Sequence, residues 1–154
     1  MAGGRIEQRL RLRAEPPLSE AAVLVRGGPD TQDKLARHAR RTARAWSLDG
    51  QPLLGISVFA VLDIPLDELL SARFATYRMI HMPTAGRLCD RGFELLPTGL
   101  RPHYTVRLRR ADSIELDELL AALGHPVANV QYARSTIWRE EGRDVPRRHH
   151  RRPQ

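Results

Sequence analysis

The strongest strand pattern in the chain runs from residue 101 to residue 110 and reads Arg101-Pro102-His103-Tyr104-Thr105-Val106-Arg107-Leu108-Arg109-Arg110. A strand places alternate side chains on opposite faces of its sheet. One face here carries apolar side chains, which are Tyr104, Val106 and Leu108. The other face carries polar and cationic ones, which are His103, Thr105, Arg107 and Arg109. We therefore predict a strand with one face in the core and one face available to a ligand.

The segment after this strand repeats an earlier part of the chain. Ile64-Pro65-Leu66-Asp67-Glu68-Leu69-Leu70-Ser71-Ala72 and Ile114-Glu115-Leu116-Asp117-Glu118-Leu119-Leu120-Ala121-Ala122 are identical at seven of nine positions. Each copy has the pattern of a helix between two apolar strands. The order strand, helix, strand, insertion, strand, helix, strand predicts an α+β fold, in the form of a ferredoxin-like split βαβ sandwich.

The first third of the chain is predicted to add a strand and a helix to this sandwich. An apolar strand at residues 21–25 leads through Arg26-Gly27-Gly28-Pro29 to a helix from Thr31 to Trp46, for which Asp30 is the expected N-cap. Residues 53–62 are apolar nearly throughout, which is typical of a central strand. We predict a basic N-terminal strand or arm over residues 1–19, one globular domain over 20–134 and a basic C-terminal tail over 135–154.

The charge of the chain indicates an anionic partner. Lys and Arg number 25 against 18 for Asp and Glu, which gives a formal charge of +7 over 154 residues. Such an excess points to nucleic acid, an acidic protein or an anionic surface. Cys89 is the one cysteine, so no intramolecular disulfide can form. No apolar run reaches the length of a membrane span, and we expect a cytoplasmic protein without membrane association.

Two groups of arginines are candidates for binding phosphates. Four of them lie on one face of the predicted helix, at Arg37, Arg40, Arg41 and Arg44. Four more lie in the predicted tail, at Arg147, Arg148, Arg151 and Arg152. We predict that these eight arginines contact nucleic acid, together with Arg107 and Arg109 of the strand over residues 101–110. Guanidinium groups bind phosphates without reading the base sequence.

Two histidines and a hydroxyl are candidates for proton transfer. His103 and Thr105 form a His-x-Thr pattern that resembles one half of the two-histidine phosphoesterase signature, and His81-Met82-Pro83-Thr84 is the nearest second half, with one residue too many. Metal-independent RNA cleavage needs a base, an acid and cations around the phosphorane. His103, His81 and Thr105 are therefore the predicted catalytic residues of an endoribonuclease.

A second set of residues is similar to the motifs of ADP-ribosyltransferases. Arg26-Gly27 ends a strand, Ser57 lies on the apolar strand, and Glu94 begins a later short strand, in the order Arg, Ser, Glu. The resemblance implies that Arg26 holds a phosphate of NAD and that Glu94 activates the acceptor. It implies NAD as the bound nucleotide and a toxin-like transferase as the function.

Our leading expectation is an RNA-binding protein, with RNA favoured over DNA, of toxin, defence or RNA-processing type, which needs no cofactor and no metal. The alternatives are the NAD-dependent transferase and a non-catalytic subunit of a nucleoprotein assembly. A protein partner such as an antitoxin is compatible with each of them.

Overall fold

The computed structural model describes residues 8–132, which form two β-sheets with helices around them. In chain order the elements are β1 (Gln8–Arg9), β2 (Leu24–Gly28), α1 (Gln32–Ala45), β3 (Trp46–Leu48), β4 (Gln51–Pro52), β5 (Gly55–Ala60), α2 (Leu66–Arg73), β6 (Met79–His81), α3 (Ala85–Asp90), β7 (Glu94–Pro97), β8 (His103–Arg107), α4 (Ser113–Leu123) and β9 (Val127–Ala128). A further helix begins at Val130. Within the described residues, no helix combines the length and apolar composition that crossing a membrane requires.

The larger sheet has six strands in the order β7-β8-β5-β2-β6-β9, and every neighbouring pair is antiparallel. The smaller sheet has the order β1-β3-β4. The mixed α+β class is thus as predicted. The ferredoxin-like sandwich is not confirmed, because β2, from the N-terminal part of the chain, lies between β5 and β6. In that sandwich a strand of the second repeat copy would take this place.

Apolar side chains pack on both faces of the six-stranded sheet. On one face, Leu24, Ile56 and Val58 form a buried cluster with α1, α3 and α4, including Leu35 and Leu119. On the other face, Val25 and Ile80 pack against Leu69, Leu70 and Phe74, which belong to α2 or follow it directly. Leu24 and Val25 are neighbours that point to opposite faces, as strand geometry requires.

The six-stranded sheet splits beside β2. Leu24 and Val25 pair with Ala60 and Phe59 of β5, but the next three residues of β2 pair only with β6. The hydrogen-bonding edge of β5 beyond this point is left facing a gap, and α1 follows β2 beside it. This gap is where the candidate site lies.

The element boundaries depart from the predictions at several places. Arg26, Gly27 and Gly28, predicted as a turn after a strand at residues 21–25, lie within β2 (Leu24–Gly28), and the strand predicted for residues 53–62 is β5 (Gly55–Ala60). Thr31, whose side chain accepts a hydrogen bond from the Lys34 amide, is the N-cap of α1 in place of Asp30. The strand predicted for residues 127–132 is only two residues long, because the chain turns into a helix at Val130.

The three predicted chain segments stay predictions, although residues from the first of them contact the sheet. Leu10 is buried with Leu53 and Leu96, and the Arg13 amide donates to the Pro97 carbonyl at 2.9 Å. The predicted phosphate contacts at Arg147, Arg148, Arg151 and Arg152 lie outside the described residues.

Candidate functional site

Arg26 lies at the point where β2 separates from β5, and its guanidinium bridges the gap. Nη1 donates to the Ser57 carbonyl oxygen at 2.9 Å, which replaces the strand pairing that is lost there. Nε and Nη2 donate to the two carboxylate oxygens of Asp30, at 2.6 and 3.2 Å. Nη2 also contacts Nδ1 of His38 at 3.2 Å. Arg26 is 9% exposed, so these partners hold it in one position.

His81 supports this arrangement from β6. The Asp30 amide donates to its Nε2 at 3.1 Å, and its Nδ1 lies 2.8 Å from the Gly124 carbonyl oxygen. A carbonyl oxygen only accepts, so Nδ1 carries the proton and both ring nitrogens are engaged within the protein. His81 is 2% exposed and therefore holds the Asp30 backbone in place instead of facing a ligand.

A cavity of about 630 Å³ opens in front of Arg26, between the end of β2 and α1. Its α1 wall carries five cations, at Lys34, Arg37, Arg40, Arg41 and Arg44. All five are exposed, and none of these four arginines forms a salt bridge with another described residue. Like charges this close on one helix repel each other. A bound anion would offset this repulsion, so the arrangement favours anion binding. The four arginines predicted to share one face of this helix, which we call the arginine stripe (Arg37, Arg40, Arg41 and Arg44), thus lie beside Arg26.

Tyr77 lies on the wall of this cavity with its ring against Gly27. A Cβ on residue 27 would lie 2.2 Å from Cε1 of the ring, so any larger residue there would displace the Tyr77 ring from this position. The loop that carries Tyr77 is fixed from below by Asn129, whose Nδ2 donates to the carbonyl oxygens of Phe74 and Tyr77 at 2.8 Å each. Tyr77 remains 42% exposed, which leaves part of an aromatic ring available at the cavity wall.

A second cavity, of about 240 Å³, continues from the first along the polar face of β5 and β8. His38 and Arg41 line both cavities and so form the boundary between them. Ser57 and Thr105 are opposite each other on β5 and β8, and His103 is two residues from Thr105 on the same face. Thr98 and Trp46 complete this part of the wall. The two cavities adjoin at His38 and Arg41, and we refer to them together as the cleft, which has a cationic end and a smaller, largely uncharged end.

His38 is neutral in this cleft. A guanidinium only donates, so Nδ1 accepts from Arg26 and the ring proton is on Nε2. Burial lowers the pKa of His38 to about 4, and the charges of Arg26 and Arg41 act in the same direction. His38 can therefore offer an N–H to a ligand near neutral pH without adding a charge.

His103 is held by the turn between β7 and β8. Its Nδ1 lies 3.1 Å from the Thr98 carbonyl oxygen and 2.8 Å from Thr98 Oγ1. Thr98 Oγ1 is in turn 2.8 Å from Thr105 Oγ1. Burial lowers the pKa of His103, and the hydrogen bond to Thr98 partly opposes this effect. His103 and Thr105 thus share a hydrogen-bonded group at the smaller end of the cleft.

Several predicted site residues lie elsewhere. His81 lines neither cavity, so the structure does not bring it to a common site with His103. Glu94 lies at the far end of β7, 3.4 Å from Nη1 of Arg107, and is not in the cleft with Arg26 and Ser57. Arg107 and Arg109 line a separate cavity with Glu94. Arg107 also lies 3.6 Å from Asp49, so carboxylates offset its charge.

Sequence reasoning missed His38, Thr98 and Tyr77. His38 follows Leu35 by three residues and precedes Thr42 by four, which places it between the buried side of α1, at Leu35 and Ala39, and the arginines of the same helix. This position could have identified His38 as a candidate site residue from the sequence. Thr98 and Tyr77 lie in turns, and their contacts depend on which strands are neighbours, which no local pattern shows.

Comparisons with protein-family models, with curated proteins and with solved structures gave no match. Within residues 8–132, no group of three His, Cys, Asp or Glu side chains is placed to hold a metal ion.

Proposed function

We propose that the cleft binds NAD and that the protein is an ADP-ribosyltransferase-like enzyme. One observation carries this proposal: Arg26 and Ser57, which are 31 residues apart in sequence, meet at the split of the sheet, where Nη1 of Arg26 donates to the Ser57 backbone carbonyl at 2.9 Å. They are two of the three residues on which the resemblance to ADP-ribosyltransferases depends.

The shape and charge of the cleft support a dinucleotide. A diphosphate carries two negative charges, and the larger cavity offers the α1 arginines at its open side and the remaining Nη1 hydrogen of Arg26 at its closed side. Guanidinium groups are well suited to phosphate oxygens. The exposed part of the Tyr77 ring offers a surface for an aromatic base. The smaller cavity, of about 240 Å³, has the size for a single ring such as nicotinamide.

Calorimetric titration with NAD tests the proposal. We expect Arg26→Lys to weaken NAD binding by about tenfold or more, because an ammonium group cannot bridge Asp30, Ser57 and His38 at once. Arg110→Lys is the matched control, since Arg110 forms an exposed pair with Asp112 outside the cleft. We expect it to leave the affinity within about twofold of the original protein. Circular dichroism checks that both variants are folded. Absence of NAD binding by the original protein at millimolar concentration contradicts the proposal.

RNA binding along α1 is the second candidate function. It is favoured by the exposure of Arg37, Arg40 and Arg44, which form an open cationic surface along about two turns of α1. The endoribonuclease form of this hypothesis has less support, because His81 has both ring nitrogens engaged. The second candidate is therefore a binding function.

A further inference from the structure

The proposed transferase needs a group that removes a proton from the acceptor, and the smaller cavity limits the choice. No carboxylate is among the described residues that line this cavity. Asp30, which lines the larger one, is bound through both oxygens to Arg26. His38 presents a protonated Nε2, so in this tautomer it donates. His103 is the remaining titratable group able to accept a proton there.

The tautomer of His103 leaves the required lone pair on Nε2. Nδ1 contacts the Thr98 carbonyl oxygen at 3.1 Å, which only accepts, and Thr98 Oγ1 at 2.8 Å, which accepts or donates. A proton on Nδ1 satisfies both contacts, whereas a lone pair there would face the carbonyl oxygen, so we assign the ring proton to Nδ1. Among residues 8–132, no hydrogen bond engages Nε2. The Phe59 ring packs edge-on against the imidazole with 5.1 Å between ring centroids, which restricts its rotation.

The backbone around His103 is held as firmly as its ring. Nη1 of Arg13 donates to the carbonyl oxygens of Thr98, Gly99 and His103. Arg13 is in turn paired with Glu15 at 2.7 Å. The turn that carries the imidazole is therefore fixed from outside the cavity, which is the support that a general base requires.

We infer that His103 takes the role that the resemblance gave to Glu94, and acts as the general base of ADP-ribosyl transfer. Nε2 accepts the proton of a hydroxyl-bearing acceptor or of water while the acceptor oxygen bonds to C1′ of the nicotinamide ribose. The bond between C1′ and the nicotinamide nitrogen breaks, and its electron pair leaves with nicotinamide, which becomes neutral. The positive charge of the nicotinamide ring is thereby replaced by the charge of the imidazolium of His103. The inference rests on the proposed function.

The charges around His103 favour the neutral ring that a base must have. Arg13 from the N-terminal segment and Arg73 of α2 both lower its pKa, in addition to burial. Arg41 of α1 lies on the same cavity wall, and His38 beside it is neutral. Burial and these charges therefore keep the pKa of the imidazole below its ordinary value, which favours the neutral ring.

The test measures nicotinamide release from NAD with water as the acceptor. For His103→Gln we expect the turnover number to fall by about 10²- to 10⁴-fold, the range that a general base supplies, with the NAD dissociation constant within about threefold. In the original protein kcat/KM, which reports the free enzyme, should rise with pH along an acidic limb centred below the ordinary pKa of an imidazole and then stay level, and this limb should be absent in the variant. His125→Gln is the control, because His125 is exposed and lines neither cavity.

His103→Ala with added imidazole separates a chemical role from a structural one. Imidazole should restore part of the lost rate, because the vacated space can hold it, whereas a merely structural defect would not respond. Unchanged turnover in His103→Gln, or NAD binding without nicotinamide release by the original protein, overturns the inference and leaves NAD binding intact. Failure to bind NAD overturns the proposed function as well.

Discussion

Arg26 has five N–H groups, and its neighbours take four of them. Asp30 accepts two, the Ser57 carbonyl accepts one and His38 accepts one. Removing one partner of a buried ion pair leaves the other charge without compensation, at a cost of about 3–5 kcal/mol. A truncation at residue 26 would therefore test folding more than function, which is why a substitution that keeps the cation gives the clearer result.

The pH dependence of stability is expected to depend on His38. Its pKa is about 4 in the folded protein and 6.5 when unperturbed, so the unfolded state binds more protons between these values. The free energy of unfolding should therefore fall as the pH is lowered from 6.5 toward 4. His38→Gln, which keeps an acceptor for Arg26, should reduce this fall by about 1–2 kcal/mol after allowance for solvent screening.

Urea unfolding at pH 7.5, 5.5 and 4.5 measures this difference. His125→Gln removes an exposed imidazole and should follow the original protein at each pH. If His38→Gln also shows the full loss of stability, the neutral state assigned to His38 is wrong.

At the scale of elements, the carboxylate of Glu115 ties the helix of the second repeat copy to the end of the preceding strand. Glu115 is 9% exposed, and its two oxygens accept the amides of Arg109, Arg110 and Ala111 at 2.7 to 2.9 Å. The Glu115 amide donates to Asp112, the N-cap of α4, at 2.9 Å. The end of β8 and the start of α4 are thus joined by one side chain.

Replacement of this carboxylate should destabilise the protein. Glu115→Gln puts an NH₂ group where an acceptor is needed and leaves at least one part-buried amide without its protein partner, so we expect a loss of about 1–3 kcal/mol. Urea unfolding at neutral pH gives the value. Glu118→Gln, on the exposed side of the same helix, should change stability by less than about 0.5 kcal/mol. Equal losses in the free energy of unfolding for the two substitutions would show that the amide contacts of Glu115 do not contribute to stability.

Local patterns were sufficient for most elements but not for their arrangement. The spacing of Leu35 and Ala39 predicted α1, and the apolar run around Ile56 predicted β5, because both signals lie within one element. The position of β2 between β5 and β6 depends on pairing between distant segments, which periodicity does not contain. For the same reason the sequence pointed to Arg26 and Ser57 but did not show that His81 is buried behind them.

At the scale of the whole molecule, the excess of positive charge predicts how nucleic-acid binding would respond to salt. If RNA follows the α1 arginines, about four phosphate contacts give a slope of log affinity against log salt near −3 for a single strand. Fluorescence anisotropy with a labelled 20-nucleotide oligouridylate measures this slope.

Substitution of stripe residues should reduce the slope. For Arg40→Ala combined with Arg44→Ala we expect it to become about 1 to 1.5 smaller in magnitude. Arg87→Ala combined with Arg110→Ala removes the same charge away from α1 and is the control. A salt-independent affinity, or equal effects of the two double variants, would argue against RNA binding along α1.

The split of the six-stranded sheet also bears on how the protein unfolds. The first residues of β2 pair with β5 and its later residues pair with β6. Both halves of the sheet therefore depend on pairing with the same five-residue strand. Neither half can separate without exposing unpaired amides and carbonyls in the other. We therefore expect the six-stranded sheet to unfold as one cooperative unit. The cleft lies at the split beside β2, which is the place where the two halves of the sheet are joined.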